Sequence, residues 1–248
     1  MVSYFWSSVP LERHYIEEAH GADAVVMHTV GSADEARGAV ETGIDVIVAQ
    51  GLDAGGHVWG SVGTMSLIPA VVDAVGHVPV VAAGGIGDGR GLAAVLALGA
   101  QAGWMGTRFV ATNEALAHPD YRDRIIAASE ADAVWSTGVF DLGFPAPVRT
   151  LDNSTLRSWR DAGRPARGER PGEGEIVAHR RIGDPVVRYD FAPPVEGMTG
   201  DVEALALYVG QSVGVVREVL PAGEAVGRIA AEAVGVIAGL AEDDQVSG

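Results

Sequence analysis

The chain has 248 residues and a formal net charge of −16, which excludes the basic surface that nucleic-acid binding requires, and its 48% hydrophobic content excludes global disorder. It contains no cysteine and no lysine, so disulfides, thiolate nucleophiles, zinc–cysteine sites, enzyme-lysine Schiff bases and a Walker A loop are excluded. No apolar run is long enough to span a bilayer, since Ala225 to Leu240 is interrupted by Arg228 and Glu232, and no basic segment precedes the first apolar stretch; a soluble, cytoplasmic protein is expected.

Taken in order, Val2 to Trp6 is strand-like and Pro10 to His20 has the spacing of a short helix stopped by Gly21. Ala24 to Val30 reads as a second strand. Ser32, with Glu35 three residues on, predicts a capping box and a helix ended by Gly43. Ile44 to Ala49, rich in β-branched residues, is a buried third strand. Ser66 to Val75 is an apolar helix, and Val78 to Ala83 a fourth strand with Pro79 near its start. Asp88 caps a helix from Gly89 to Leu98, Gln101 to Met105 is a fifth strand, and a helix is expected from about Glu114 to Ser129. Five β–α units in succession predict a parallel sheet with helical crossovers, which suits a (β/α)8 barrel or an open doubly wound sheet. In both, ligands bind at the C-terminal ends of the strands.

Beyond Asp132 the rhythm is lost. Arg160 to Glu175 reads as an extended surface segment, and Asp201 to Leu220 and Pro221 to Leu240 as two helices, with Glu242 to Gly248 a polar tail. The expected division is therefore residues 1–145 as a partial barrel carrying the site and residues 146–248 as an irregular segment with C-terminal helices packed on it. The triplet Asn153-Ser154-Thr155 matches a glycosylation acceptor by chance, in the absence of a secretion signal.

Two strand ends carry the candidate chemistry. Gln50-Gly51-Leu52-Asp53-Ala54-Gly55-Gly56-His57 places three glycines and then a histidine directly after the third strand. Glycine permits positive φ and close backbone approach, and a histidine held past such a turn is a candidate acid or base. After the fourth strand, Gly84-Gly85 precedes a helix start, an order suited to anion binding on bare N–H groups and the helix dipole. Gly106-Thr107 after the fifth strand adds a second N–H cluster and a hydroxyl. The spacing Gly85-Ile86-Gly87-Asp88-Gly89 is not the dinucleotide fingerprint. Arg108 either neutralises a ligand or is an ordinary ion-paired arginine. His28, ending the second strand, is expected to face the pocket of His57, while His14, His20, His77 and His118 are expected at the surface. No histidine pair has metal-ligand spacing, so no metal is expected.

These residues resemble signatures of the nitronate monooxygenases. The stretch Gln50 to His57 resembles the family's glycine-histidine loop; Val80 to Arg90 resembles its second signature; Leu98 to Gln101 with Met105 to Phe109 resembles its third. The resemblance implies a TIM barrel binding FMN. Gln50 and Gly55 would lie along the flavin, Gly84 and Gly85 with Trp104, Met105, Gly106 and Thr107 would hold its phosphate, and His57 would be the catalytic histidine. Trp104 stands where family members often carry glutamine, a change tolerable if the contact is through the backbone. The implied reaction is oxidation of an alkyl nitronate by O2 to a carbonyl compound and nitrite.

Members of the family have three further β–α units ahead of the equivalent of Val2, so the chain is expected to be the C-terminal portion of a barrel. Its open edges would associate with another copy or with an N-terminal half supplied elsewhere. The alternatives are a related flavin-dependent NAD(P)H reductase of enoyl thioesters or quinones, a phosphate-sugar barrel enzyme without flavin, or an inactive fragment.

Overall fold

A computed structural model describes residues 2–5, 13–58 and 60–243. Trp6 and residues 10–12 of the first expected helix, and residues 244–248 of the tail, lie outside them. The chain divides into two compact units: the described residues of Met1–Ala54, Trp59–Met105 and Gly227–Gly248, and those of Gly55–Val58 with Gly106–Val226.

In chain order the first unit opens with β1 (Val2–Phe5), α1 (Arg13–Gly21), β2 (Val25–Val30), α2 (Ala33–Thr42) and β3 (Val46–Gln50). The chain then lends the two-residue strand β4 (Gly56–His57) to the second unit and returns with α3 (Thr64–Val75), β5 (Val80–Ala83), α4 (Gly89–Ala97) and β6 (Ala102–Trp104). The sheet is parallel throughout, in the order β1-β2-β3-β5-β6. This is the α/β parallel arrangement that the alternation predicts.

Local rules set the boundaries. Ser32 accepts a hydrogen bond from the Glu35 N–H at 3.2 Å, and the Glu35 carboxylate reaches back one residue further than a capping box requires, to the Gly31 N–H at 2.7 Å. Gly43 closes α2 at φ 103°, and Asp88 caps α4 by accepting from Gly91 N–H at 3.0 Å. Strand alternation then sorts the side chains. Val26 and Val30, Ile47 and Ala49, Val80 and Ala82 share one face, where Ile16, Ala36, Ala39, Leu67, Ile68, Val71 and Val95 from the helices bury it. All four helices α1 to α4 thus cover a single face.

The second unit contains β4, the short α5 (Thr107–Val110), α6 (Pro119–Ala127), β7 (Ala133–Ser136), β8 (Val148–Leu151), α7 (Ser154–Asp161), β9 (Ile176–His179), β10 (Pro185–Val187) and β11 (Thr199–Gly200). Its two antiparallel sheets have the orders β4-β8-β7 and β10-β9-β11. The helix α8 (Ala222–Asp243) begins there and runs into the first unit, where the Glu232 carboxylate accepts from Gly89 N–H at 2.7 Å.

Three expectations are corrected. The helix foreseen from Glu114 begins only at Pro119, because proline takes the first helical position and His118 accepts from the Asp120 N–H as its cap. Asp201 to Leu220 forms no α-helix, only the 3-10 turns Val202–Ala204 and Gln211–Val215. Between those turns Leu205, Ala206, Leu207 and Val209 are all buried, and the backbone runs beside β8, with Leu151 N–H donating to Leu207 C=O at 2.8 Å and Val209 N–H to Arg149 C=O at 3.3 Å. An unbroken apolar run of this kind has no amphipathic period, so the ladder outcompetes the helix. Arg160 to Glu175 is not merely surface: Arg170 is buried, bonded to Asp141 and Glu173 at 2.6 Å each and stacked over Tyr189 at 4.3 Å. No helix among the described residues is long and apolar enough to cross a membrane.

Candidate functional site

In the first unit the sheet register aligns Gln50 with Ala83 and Ala83 with Trp104. The three residues therefore stand side by side at the C-terminal ends of adjacent strands, on the face the helices do not cover. Gln50 is half-buried, and Trp104 is 42% exposed. Met105, one residue on, instead packs partly buried against the helix-side core.

The glycine turn after β5 is held by the loop after β3. Gly84 and Gly85 have φ of 101° and 70°, and a Cβ at Gly84 would lie 2.9 Å from the Ala54 nitrogen. Thr64, which the sequence reading did not single out, ties the two loops together. Its N–H donates to the Asp53 carboxylate at 2.6 Å and its hydroxyl to Gly84 C=O at 3.0 Å. Among the described residues no acceptor takes the N–H groups of Gly85, Ile86 or Gly87. They lie just ahead of α4, whose first N–H groups are already taken by the carboxylates of Asp88 and Glu232.

In the second unit His57 is fixed by β4 pairing with β8, in register with Val148, and by Val58 N–H donating to Pro147 C=O at 2.8 Å. Its ring is half-buried, edge-on to Phe144 at 4.9 Å and tilted against Tyr208 at 5.4 Å. Burial lowers the imidazole pKa below its ordinary value, so the ring is neutral near pH 7. Tyr208 is positioned in turn by donating to Phe191 C=O at 2.6 Å, while its own carbonyl accepts from the Tyr121 hydroxyl. Gly55 is required because a Cβ would come within 2.3 Å of the Gly210 nitrogen and Val209 carbonyl carbon. Thr107 is buried, and its hydroxyl oxygen accepts from Gly210 N–H at 2.9 Å, leaving its own hydrogen to donate; Gly106 is exposed.

Other expectations resolve differently. His28 lies in register with Ile47, on the helix-covered face with Val26 and Val30, rather than on the face that carries Gln50 and Trp104. It is buried, and desolvation lowers its pKa against the opposing pull of Glu35. Arg108 is a buried structural residue, donating to Ala111 C=O at 2.6 Å and Glu218 C=O at 2.7 Å. Asn153, within the glycosylation-like triplet, is fully buried and caps α7, accepting from Leu156 N–H at 3.0 Å. Phe144 and Tyr208 were not legible as neighbours of His57, since they arrive from 87 and 151 residues away in sequence.

The nitronate monooxygenase family model matches residues 5–232. Nitronate monooxygenase npaC of Metarhizium robertsii is 39% identical over 211 residues, covering 79% of this chain and 55% of that protein. FabK of Thermotoga maritima superposes with a TM-score of 0.73 at 31% identity, over 97% of this chain and 70% of that one. A nitroalkane oxidase of Streptomyces ansochromogenes gives 0.72 at 30% identity, over 96% and 65%. The chain spans about half the length of the curated relatives it matches. The chain belongs to the nitronate monooxygenase family, a family of flavin-dependent oxidoreductases.

Proposed function

We propose that the protein is an FMN-dependent nitronate monooxygenase, oxidising alkyl nitronates with O2 to a carbonyl compound and nitrite. The observation that carries this reading is the environment of His57: a neutral, half-buried imidazole between two aromatic rings, in the family's glycine-histidine loop. FMN, when bound, would supply the electron transfer. The residues present suit it. The N–H groups of Gly85, Ile86 and Gly87 suit a phosphate, and Gln50 and Trp104 offer an amide and a flat ring at neighbouring strand ends; the cofactor roles of Gly55, Met105, Gly106 and Thr107 rest on the family resemblance.

His57 takes the Cα proton of a neutral nitroalkane or, protonated, holds the nitro-group oxygens of the anion. Phe144 and Tyr208 keep its ring apolar on two sides, which depresses the pKa and leaves the basic form populated. Tyr208 has its hydroxyl hydrogen committed to Phe191 C=O and presents its ring to His57. Small-molecule substrates accord with a histidine walled by aromatic rings.

The test is steady-state assay of the flavin-reconstituted protein. Nitronate-dependent O2 uptake with stoichiometric nitrite release supports the reading. NAD(P)H oxidation without nitrite would replace it with a flavin reductase, and failure to bind flavin would remove both.

A further inference from the structure

The second unit contains a cavity of about 510 Å³ between β7 and the turn that follows α7. That volume lies within the range of small-molecule sites. Leu156 and Trp159 supply its apolar floor, and the Trp159 indole is oriented by donating to Pro165 C=O at 3.0 Å. Strand alternation places the Ser136 side chain on the same face as Val134, which packs against that floor. Ser136 is only 6% exposed, and its hydroxyl has no hydrogen-bond partner among the described residues. A buried hydroxyl left unpaired in a native protein calls for an explanation, and a ligand oxygen is one.

The rim is cationic in a chain of net charge −16: Arg160, Arg164 and Arg167 all line it. Arg160 is engaged with Asp152 at 2.7 Å, whereas Arg164 and Arg167 are exposed and make no ion pair among the described residues. The fold presents Arg164 at a positive φ of 60°, just after Gly163 at 84°, with its N–H donating to Trp159 C=O at 2.9 Å. Two unpaired guanidiniums over an apolar floor, with a buried hydroxyl at its base, are complementary to an oxyanion attached to a flat apolar body.

We propose that this cavity binds a small aromatic oxyanion, its phosphate or carboxylate held by Arg164 and Arg167 and its ring seated on Trp159 and Leu156. The site is independent of the flavin reading and of His57, so either can fail while the other stands. A solely structural role for the arginines, as cations at the C-terminal end of α7, predicts no ligand at all.

Calorimetric titration of the whole protein with phenyl phosphate, benzoate and inorganic phosphate tests it. One of the two aromatic anions is expected to bind saturably and about fivefold or more tighter than inorganic phosphate, the better one identifying the head group. The double exchange Arg164→Gln/Arg167→Gln is expected to weaken that binding about tenfold or more, and Ser136→Ala by about threefold or more. Should the double variant be unstable, the single exchanges Arg164→Gln and Arg167→Gln serve in its place. Absence of saturable binding, equal affinity for inorganic phosphate, or unchanged affinity in the arginine variants would each overturn the proposal.

Discussion

In the first unit Gln50, Ala83 and Trp104 stand in one row because parallel strands set their register, and the row rests on an apolar core under four helices. In the second unit His57 is placed by a strand of two residues, and the surrounding chain is pinned by buried polar groups: Arg170 on Asp141, Arg149 on Ala133 C=O, Thr155 on Ala204 C=O, Asn153 on Leu205 C=O. The difference teaches where each half is vulnerable. An apolar core loses free energy in proportion to the volume removed, whereas a buried polar anchor leaves its partner unsatisfied when it goes.

That contrast can be broken by mutation, beginning with the largest effects. Arg170→Met strips the partner from two carboxylates, one of them on the nearly buried Asp141, and is expected to cost about 3–5 kcal/mol in denaturant unfolding. A loss under about 1 kcal/mol would show that the second unit does not depend on its polar anchors. Gly55→Ala forces a Cβ against the Val209–Gly210 backbone and is expected to cost about 3 kcal/mol, with loss of the His57 ring contacts visible in its NMR shifts. Ile47→Ala in the first unit opens a cavity under α3 and should cost about 2–5 kcal/mol without changing those shifts. At the small end, Ser32→Ala removes the cap of α2 for about 1 kcal/mol.

Acid sharpens the same comparison. The Arg170 guanidinium holds the Glu173 carboxyl at about 2, below the ordinary 4.5, so its contribution is present above pH 4.5 and is lost as pH falls toward 2. Unfolding of wild type and Glu173→Gln, compared at pH 7 and pH 3, should show the difference between them shrinking in acid. A gap that stays constant would remove the ion pair from the account.

The first unit was legible because its rules are local. Ser32, Gly43 and Asp88 punctuate helices by their own side chains or φ, and the valine-rich runs of β2, β3 and β5 are strands whatever surrounds them. The glycines of both candidate loops were legible for the same reason. The second unit was not, because its structure is decided by partners far apart in sequence: Leu207 beside Leu151, Tyr208 beside His57, Arg170 on Asp141. His28 shows a further limit. The sequence reading places it at the end of the second strand but it lies inside β2, and which face it takes depends on register, so that one residue of shift would have turned it over.

The central claim, that His57 is the base of a flavin-dependent nitroalkane oxidation, is tested most directly by His57→Asn in the FMN-loaded protein. Its turnover with a neutral nitroalkane is set against turnover with the preformed nitronate. The account predicts a loss of about 10²-fold or more on the neutral substrate, a much smaller loss on the anion, and unchanged flavin content. In wild type, kcat/KM for the neutral substrate should fall in acid through a pKa below 6.5, in line with the lowered imidazole pKa. Equal losses on both substrates, or none, would contradict it.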